Sequence, residues 1–382
     1  MRIIVHIGAE KTGTSSVQQF LTQNREKLKS AGYLYPTAQG YESHMSLPAA
    51  CQNDAVRDDL RMIYGLDSVQ KIREFRVALV EQLRGQAREG KYSHMVVSSE
   101  HCSSRLVSPV EVERLAQMLR KISQDVIALV YIRRQDEFLC SSYSTDVKSG
   151  FSGRMTLPGE ELRRNRYDYH ALLRRWASVF GKENVVCRIY EQKRLKNGDI
   201  VDDFADAAGL PLTGEYSRPA RVNESLDVTA LEFLRLFNRS VPCFRNNARN
   251  PDRGNIVQVL KRVSEGATPA LLERELTQFM RQFRDSNRRV AVEFFGKVCE
   301  SGDPLFGEAQ HVKDRGEMKP ISVEKAVEVA AALWCERQQQ INDLTARQQK
   351  LRDRIRKLEA MVEASNVIAA APGRLTERNC NV

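Results

Sequence analysis

The first sixteen residues constrain the fold of this chain more than any other segment. A mostly apolar run at residues 3–7 (IIVHI) leads into the loop GAEKTGTSS at residues 8–16 and then into a helical pattern. This order predicts a buried strand, a turn and a helix. Backbone amides at a helix N-terminus lack intrahelical partners and carry the positive end of the helix dipole, and Lys11 adds a full charge. We therefore expect a phosphate-like ligand in this loop.

The position of the lysine separates this loop from the nucleoside-triphosphatase loop. That loop has a glycine, four further residues, and then Gly-Lys followed by Ser or Thr. Here Gly13 is followed by Thr14, and Lys11 lies two residues before the glycine. The run Lys-Thr-Gly-Thr-Ser-Ser after a first strand resembles the 5′-phosphosulfate loop of sulfotransferases that use 3′-phosphoadenosine-5′-phosphosulfate (PAPS). The alternative is a Gly/Thr-rich turn that only caps an ordinary helix.

A second segment, far along the chain, agrees with this resemblance. Residues 125–134 (DVIALVYIRR) form an almost unbroken apolar run that ends in two arginines, as in a strand buried on both faces of a parallel sheet. Sulfotransferases hold the 3′-phosphate with an Arg at the end of such a strand and a Ser eight residues on, followed by a Tyr two residues later. Arg133, Ser141 and Tyr143 match that spacing. A guanidinium can bind a phosphate through two parallel hydrogen bonds, and a hydroxyl can donate a third.

The register of this second motif has an alternative. Family members often continue the arginine with Asn-Pro or Asp-Pro, whereas a glutamine follows Arg134 here. Arg134 and Ser142 are also eight residues apart. We favour Arg133 with Ser141, because only that register places Tyr143 at the family position.

Strands and helices alternate along the chain as they do in a parallel α/β sheet. The pattern predicts helices at residues 17–30, 69–89, 109–122, 169–180 and 200–208, another helix after Arg133, and strands at residues 94–99 and 185–190. We expect a P-loop-type three-layer α/β fold with a short parallel sheet, in a catalytic domain of residues 1–320. Lys11 and Arg133 fall at carboxyl ends of strands, where such sheets bind ligands. The resemblance to sulfotransferases covers about residues 1–210.

The C-terminal region has a different pattern. Seven residues alternate steps of three and four, the heptad seam of a coiled coil: Ile341, Leu344, Gln348, Leu351, Ile355, Leu358 and Val362. We predict a long helix or coiled coil over residues 321–364, which forms a homo-oligomer through residues 334–362, and a flexible tail over residues 365–382. A long amphipathic helix folded back on its own domain is the alternative.

The resemblance also implies catalytic roles. Sulfuryl transfer needs stabilisation of the leaving phosphate, deprotonation of the acceptor and alignment of the two oxygens. Lys11 would stabilise the leaving group. The loop residues that would help through amides or hydroxyls are Thr12, Gly13, Thr14, Ser15 and Ser16. Glycan-modifying sulfotransferases carry a catalytic Glu after the strand that corresponds to residues 94–99, and cytosolic members use a His after a nearby strand. Glu100 is the first choice for the base, His101 the second and His44 a third; a capping Glu and a half-buried His are the non-catalytic alternatives.

Composition narrows the class of protein. The chain has 382 residues, 42% of them hydrophobic, and a formal net charge of +10. No apolar run approaches the roughly 20 residues that span a bilayer, and the apolar start is too short for a signal peptide, so we expect a cytoplasmic protein. The cysteines are widely spread without a CxxC pair, which predicts free, buried thiols and no metal cluster. The charge fits a nucleic-acid binder or an enzyme for anionic ligands, and we favour the enzyme because no nucleic-acid module is recognisable.

Three functions of different classes remain. The first is a PAPS-dependent, metal-free sulfotransferase acting on a hydroxyl or amine, with a carbohydrate or glycoconjugate favoured as acceptor. The second is a P-loop kinase or nucleoside-triphosphatase with a degenerate phosphate loop, in which Glu100 would be a magnesium ligand. The third is a catalytically inactive scaffold assembled through its coiled coil. Acceptor loops are expected at residues 33–57 and 148–166, and Arg249, Arg253 and Gly254 are candidates to complete the nucleotide site.

Overall fold

A parallel sheet of five strands forms the centre of the fold. The strands are β1 (Arg2–Gly8), β2 (Tyr33–Leu34), β3 (His94–Ser98), β4 (Val126–Ile132) and β5 (Val185–Ile189), in the order β2-β3-β1-β4-β5. Every neighbouring pair is parallel. This computed structural model describes residues 1–37, 42–212, 216–219, 226–245, 248–262, 264, 266–297, 305–307, 315–317 and 320–369. The predicted α/β class with a short parallel sheet is confirmed.

In the described residues up to position 212, eleven helices lie between and around these strands. They are α1 (Thr14–Gln23), α2 (Arg25–Ser30), α3 (Ser46–Cys51), α4 (Asp59–Ile63), α5 (Val69–Arg88), α6 (His101–Arg105), α7 (Pro109–Arg120), α8 (Gln135–Lys148), α9 (Glu160–Leu162), α10 (Tyr169–Phe180) and α11 (Ile200–Ala207). Shorter helical turns follow at Arg163–Tyr167, Lys182–Asn184, Lys196–Gly198 and Pro251–Arg253. The segments predicted as helices at residues 69–89, 109–122, 169–180 and 200–208 correspond to α5, α7, α10 and α11.

The rest of the described chain is mainly helical. Its helices are α12 (Val228–Ser240), α13 (Ile256–Arg262), α14 (Glu273–Arg281), α15 (Arg284–Phe295) and α16 (Val323–Ala369). Two small sheets join them: β6 (Phe244–Arg245) pairs antiparallel with β7 (Ala248–Arg249), and β8 (Thr268–Ala270) pairs parallel with β9 (Arg315–Glu317).

One predicted helix is wrong in its extent. The pattern at residues 17–30 is divided into α1 and α2, which meet at Asn24. The side-chain amide of Asn24 donates hydrogen bonds to the carbonyl oxygens of Phe20 and Ser217, and the donor–acceptor distance is 2.8 Å in both. The break therefore depends on a contact with a residue far away in the sequence, which local periodicity does not reveal.

Two layers of helices cover the sheet. Successive strand side chains point to opposite faces, so Ile3 and Val5 pack on one side with α5, α7 and α10, around the buried Trp176. Ile4 packs on the other side with α1 and α11, whose Phe204 is fully buried. The sheet is thus buried on both faces, as the apolar strand sequences predict, and the arrangement has the three expected layers.

Among the described residues, the C-terminal helix α16 packs against the rest of the fold near its start. Val329 is buried in a second core formed by α8, α12, α13 and α14, and Glu336 forms an ion pair with Arg262. Further along, the apolar residues of the seam expose between 53% and 63% of their surface: Ile341, Leu344, Leu351, Ile355, Leu358 and Val362. The first part of the helix thus packs on its own domain, as the alternative prediction has it. The coiled coil formed by the later part stays a prediction. The helix extends beyond residue 364 to Ala369, and the rest of the predicted tail, residues 370–382, lies outside the described residues.

Three sequence expectations can be examined only within the described part of the chain. No helix there combines the length and the apolar character that crossing a membrane requires. No group of three or more His, Cys, Asp or Glu side chains there is arranged to hold a metal ion. The six cysteines there are free thiols, but the predicted burial is correct only for Cys51 and Cys102. Cys335 is exposed, and the others are half-buried: Cys140, Cys187 and Cys243. The cytoplasmic location stays a prediction.

Candidate active site

The strand order brings four loops to one edge of the sheet. β1 lies between β3 and β4, so the connections on its two sides diverge there, and in parallel sheets the crevice at such a point is the usual ligand site. Lys11 follows β1, Glu100 follows β3, Arg133 follows β4 and Tyr190 follows β5. All four side chains line one cleft of about 660 Å³. The two sequence motifs, which are far apart along the chain, therefore meet in space.

The backbone of the loop after β1 forms a concave turn. Lys11 and Gly13 both have left-handed backbone angles, with φ of 63° and 78°. Alternation of such angles with ordinary ones turns successive backbone amides toward a common centre, which suits an anion. Helix α1 then begins at Thr14 without a side-chain cap, which leaves amides of its first turn available to a ligand. A Cβ atom on Gly13 would lie 3.0 to 3.2 Å from side-chain atoms of Ile200 and Tyr190, so the packing is tight at a position where the left-handed backbone angle already favours glycine.

Some side chains of this loop line the cleft, and others point into the protein or away from the cleft. Lys11, Gly13, Thr14 and Ser15 line the cleft. Thr12 is fully buried, and its hydroxyl donates a hydrogen bond to the carbonyl oxygen of Ala9 over 2.6 Å. The backbone amide of Ser16 donates to the carbonyl oxygen of Gly13 at a distance of 3.0 Å, and the half-buried Ser16 does not line the cleft. The structure therefore does not bring the Thr12 and Ser16 side chains to the predicted site.

Lys11 presents its charge to the cleft. Its Nζ atom donates a hydrogen bond to Thr145 Oγ1 over 2.6 Å, so the ammonium group rests on a neutral hydroxyl. Burial lowers the pKa of Lys11, and the nearby carboxylate of Glu10 opposes that shift in part. A partly desolvated cation of this kind interacts more strongly with an anion than one surrounded by water does.

Arg133 is held in place by three neighbours. Its Nε atom donates to Glu137 Oε2 over 3.0 Å, and its Nη1 atom donates to the carbonyl oxygen of Lys11 over 3.3 Å. The centre of the guanidinium lies 5.6 Å from the ring centroid of Tyr190, a cation–π contact. These contacts orient the guanidinium at the cleft wall. Tyr190 was not predicted as a site residue, although its position at the end of the predicted strand of residues 185–190 was a signal.

The alternative register places its residues elsewhere. Arg134 does not line the cleft and pairs with Asp136 over 3.0 Å. Ser142 is buried and does not line the cleft either. Ser141, in contrast, lines the cleft together with Arg133. The geometry thus favours Arg133 with Ser141.

Tyr143, which supported this register in the sequence, lies in a different place from the one the resemblance implies. It is buried, packs edge-to-face with Phe151, and donates a hydrogen bond from its hydroxyl to the carbonyl oxygen of Gly153 over 3.2 Å. Tyr143 thus belongs to the second hydrophobic core, which α8 shares with α12, α13 and α14. The favoured register therefore rests on Arg133 and Ser141 alone.

Glu100 reaches the cleft with a defined partner. Its Oε2 atom accepts a hydrogen bond from Gln18 Nε2 over 2.8 Å, and Gln18, only 5% exposed, also donates to Ser98 Oγ over 3.3 Å. The negative charge of Glu100 is one of the influences that raise the pKa of Lys11, so the two groups face the same space. A Cβ atom on Gly8 would lie 2.9 Å from Glu100 Cα, so glycine is needed where β1 and the end of β3 meet. The sequence did not predict Gln18 as a site residue, because a glutamine at this position is typical of the polar face of an amphipathic helix.

His101 belongs to a second charged group in the cleft. Its Nδ1 atom lies 4.0 Å from Glu10 Oε1, and Glu10 forms an ion pair with Arg166. Burial alone would raise the pKa of Glu10, but the charge of Arg166, a hydrogen bond from Ser104 and the charges of His101 and Lys11 together outweigh that effect, and the net pKa lies below its usual range. Glu10 is therefore ionised and already paired with Arg166. Glu100, whose partner is the neutral Gln18 amide, is better placed to accept a proton.

His44 lies behind the site. Its Nε2 atom lies 3.1 Å from the carbonyl oxygen of Pro36, and its Nδ1 atom accepts a hydrogen bond from the backbone amide of Ser98 over 3.2 Å. Burial lowers the pKa of His44 to about 4. The ring is thus neutral at physiological pH and connects two backbone segments, which is a structural role and not that of the base.

The far end of the cleft was not expected from the sequence. It is lined by Lys148 at the end of α8 and by Val257 and Lys261 on α13. Arg253, a candidate for this position, instead donates to the carbonyl oxygen of Val241 over 3.0 Å and does not line the cleft. The side chain of Arg249 lies outside the described residues. The helical spacing of Ser141 and Lys148 was a usable signal for Lys148, whereas Lys261 reaches the cleft only through the tertiary fold.

Comparisons with known proteins add two similarities. No family model matches the chain. A stretch of 171 residues is 32% identical to an uncharacterized protein of Archaeoglobus fulgidus and covers 44% of this chain and 45% of that protein. The chain thus spans less than half the length of this relative. Among solved structures, a sulfotransferase from Alicyclobacillus acidocaldarius is similar over 62% of this chain and 94% of its own, with 18% identity and a TM-score of 0.32. Neither similarity establishes a family for the chain.

Proposed function

We propose that this protein is a P-loop-type sulfotransferase, which transfers the sulfuryl group of PAPS to a hydroxyl or amine acceptor. A carbohydrate or glycoconjugate is the acceptor class we favour. The observation that carries the proposal is the meeting of two motifs in one cleft. Arg133 lies 122 positions from Lys11 in the sequence, yet its Nη1 atom is 3.3 Å from the Lys11 carbonyl oxygen.

The described residues fit the charged ends of PAPS. Lys11 and the amide-rich turn up to Ser15 suit the 5′-phosphosulfate, and Arg133 with Ser141 suits the 3′-phosphate. The cleft of about 660 Å³ falls within the usual size of small-ligand sites, about 300 to 1,000 Å³. Thr12 supports the loop from behind, and Ser16 continues α1.

The chain's own groups divide the chemistry between them. Glu100 takes the proton of the acceptor hydroxyl while the acceptor oxygen forms its bond to sulfur, and the bond between sulfur and the phosphate oxygen breaks. Lys11 and the loop amides stabilise the negative charge that develops on the leaving phosphate. His101, near Glu10, helps to order the cleft wall. The donor supplies the sulfuryl group and leaves as adenosine 3′,5′-bisphosphate. Because lysine and amides provide the positive charge, no metal is part of this proposal.

Calorimetric titration with adenosine 3′,5′-bisphosphate tests the proposal. We expect micromolar affinity that is lost in Lys11→Ala and in Arg133→Ala and kept in Arg134→Ala, which alters a neighbouring arginine outside the cleft. Transfer of radiolabelled sulfate from PAPS to a panel of sugars then tests the reaction. A preference for ATP that requires magnesium would favour the kinase alternative, and absence of binding to either nucleotide would favour the inactive scaffold.

We also propose that two or more copies associate through residues 334–362. The support is the exposed apolar seam on α16, since such a surface is usually covered in solution. Gln348 lies within the seam, and a polar residue at such a position can set the register of the helices.

A further inference from the structure

The cleft continues beyond Lys11 along one face of α8. Ser141, Thr145 and Lys148 lie on that face, because residues three and four positions apart are neighbours on a helix. Seven residues of helix correspond to about 10 Å, so Lys148 is roughly that far from Ser141 along the axis. Thr145, between them, accepts the hydrogen bond from Lys11 Nζ over 2.6 Å. Lys11 thus separates an end of the cleft that holds Arg133 from an end that holds Lys148.

Two lysines without counterions line this second end. Lys148 and Lys261 are both wall residues of the cleft, and neither forms an ion pair within the residues that the structure describes. Burial, and then the positive charges of Lys261 and Lys11, lower the pKa of Lys148 to about 8. Asp146 also lines the cleft, but its carboxylate interacts with Arg166 and Lys11. Cations brought together and partly buried in this way are stabilised when an anion binds between them.

The nucleotide has its charge partners elsewhere in the cleft. Under the proposed function, Lys11 and the loop hold the 5′-phosphosulfate, and Arg133 with Ser141 holds the 3′-phosphate. The lysine pair lies beyond the Thr145 hydroxyl that Lys11 contacts, because Lys148 is three residues further along α8 and Lys261 interacts with Lys148. Its positive charge is therefore left for the other substrate, the acceptor, which must enter the same cleft to reach Glu100.

We propose that Lys148 and Lys261 form a subsite for a carboxylate or sulfate group of the acceptor, and that the enzyme therefore acts on acidic carbohydrates. Val257, one turn before Lys261 on α13, gives this subsite an apolar wall against which a sugar ring can pack. This inference rests on the proposed function and deepens it, since it names the charge of the acceptor.

The test measures oligosaccharide binding to protein saturated with adenosine 3′,5′-bisphosphate. Three probes are compared by calorimetry: a tetrasaccharide that contains glucuronic acid, its carboxyl-reduced form, and a sulfated tetrasaccharide without uronic acid. We expect at least one acidic probe to bind ten-fold or more tightly than the reduced form, and the better of the two identifies the preferred anion. Lys148→Gln and Lys261→Gln should each weaken acidic-probe binding about ten-fold, whereas Lys148→Arg should keep it.

The control is Lys121→Gln, which alters an exposed lysine at the end of α7 and should change nothing. The affinity of Lys148→Gln and Lys261→Gln for adenosine 3′,5′-bisphosphate should equal that of the wild type, which also shows that these variants fold. The inference is overturned if the three probes bind equally or not at all, or if the lysine variants lose bisphosphate affinity as Arg133→Ala does. Failure of the wild type to bind the bisphosphate contradicts the proposed function itself, and the two failures are thus distinguishable.

Discussion

The Arg133 side chain donates a hydrogen bond to the backbone carbonyl oxygen of Lys11, from Nη1 and over 3.3 Å. This contact joins the loop after β1 to the end of β4. With Glu137 bonded to Nε, the guanidinium is oriented without help from a ligand. A group fixed in its binding orientation loses less conformational freedom when the ligand arrives, which increases affinity.

Replacing Arg133 with lysine keeps the charge but removes the planar fork of donors. Hydrogen bonds to charged groups contribute about 1.5 to 3 kcal/mol. We therefore expect Arg133→Lys to weaken adenosine 3′,5′-bisphosphate binding by roughly 10- to 100-fold, since about 1.4 kcal/mol corresponds to a factor of ten. The same change in Arg134→Lys should have little effect. Equal losses in the two variants would show that the alternative register contributes to the site.

Gln18 is expected to position Glu100 for catalysis. Glu100→Gln should lower kcat by roughly 10²- to 10⁴-fold, the range of a lost general base. Gln18→Leu should lower kcat by about ten-fold, the effect of one lost hydrogen bond, without changing bisphosphate affinity. In the Glu100→Gln background, Gln18→Leu should have no further effect, because residues that act through one another are non-additive. Gln23→Leu, on the exposed side of the same helix, is the control. Additive losses in the double variant would mean that Gln18 acts through the fold and not through Glu100.

Binding of an acidic acceptor should depend on pH through Lys148. Burial and the charges of Lys261 and Lys11 lower its pKa to about 8, so the ammonium form predominates below pH 8 and disappears above it. Acidic-acceptor affinity should therefore be constant from pH 6.5 to about 7.5 and fall as pH rises further. In Lys148→Arg the fall should vanish or move to higher pH, because a guanidinium stays protonated. An unchanged profile in that variant would assign the fall to Lys11, whose pKa burial also lowers.

The buried ion pair in α12 should matter for stability far more than an exposed one. Arg235 and Glu232 are only 3% and 7% exposed at their side chains and pair through two hydrogen bonds. Removing one partner of such a pair costs about 3 to 5 kcal/mol, so Glu232→Gln should lower the free energy of unfolding by that amount in urea titrations. Asp252→Asn breaks the exposed pair with Arg245 and should cost about 1 kcal/mol or less. A similar small cost for both would indicate that water reaches the α12 pair.

Self-association through α16 should depend on the seam. Leu351→Glu puts a charge on the apolar line and should shift the protein to monomers in sedimentation velocity at micromolar concentration. Ala346→Glu changes the exposed opposite face of the helix and should leave the oligomer intact. A wild-type protein that sediments as a monomer at all concentrations would contradict the proposed oligomer.

The sequence reveals the parts of the site that short local patterns encode. Lys11 lies in the loop that follows one apolar strand run and Arg133 directly follows another, so their shared edge is predicted by the rules of parallel sheets. Gln18 and Lys261 could not be found in this way, because Gln18 is linked to the site only through its contact with Glu100, and Lys261 reaches the cleft only through the packing of α13. The division of the first predicted helix at Asn24 has the same origin, since it depends on Ser217. Local periodicity describes the elements, and tertiary packing decides which polar side chains become site residues.

Helix α13 has only seven residues, yet it contacts both the cleft and α16. Lys261 lines the cleft, while the adjacent Arg262 forms an ion pair with Glu336 on α16. If copies associate through α16 as proposed, a shift of α16 against the fold would act on the Arg262 side of the same short helix that presents Lys261 to the cleft.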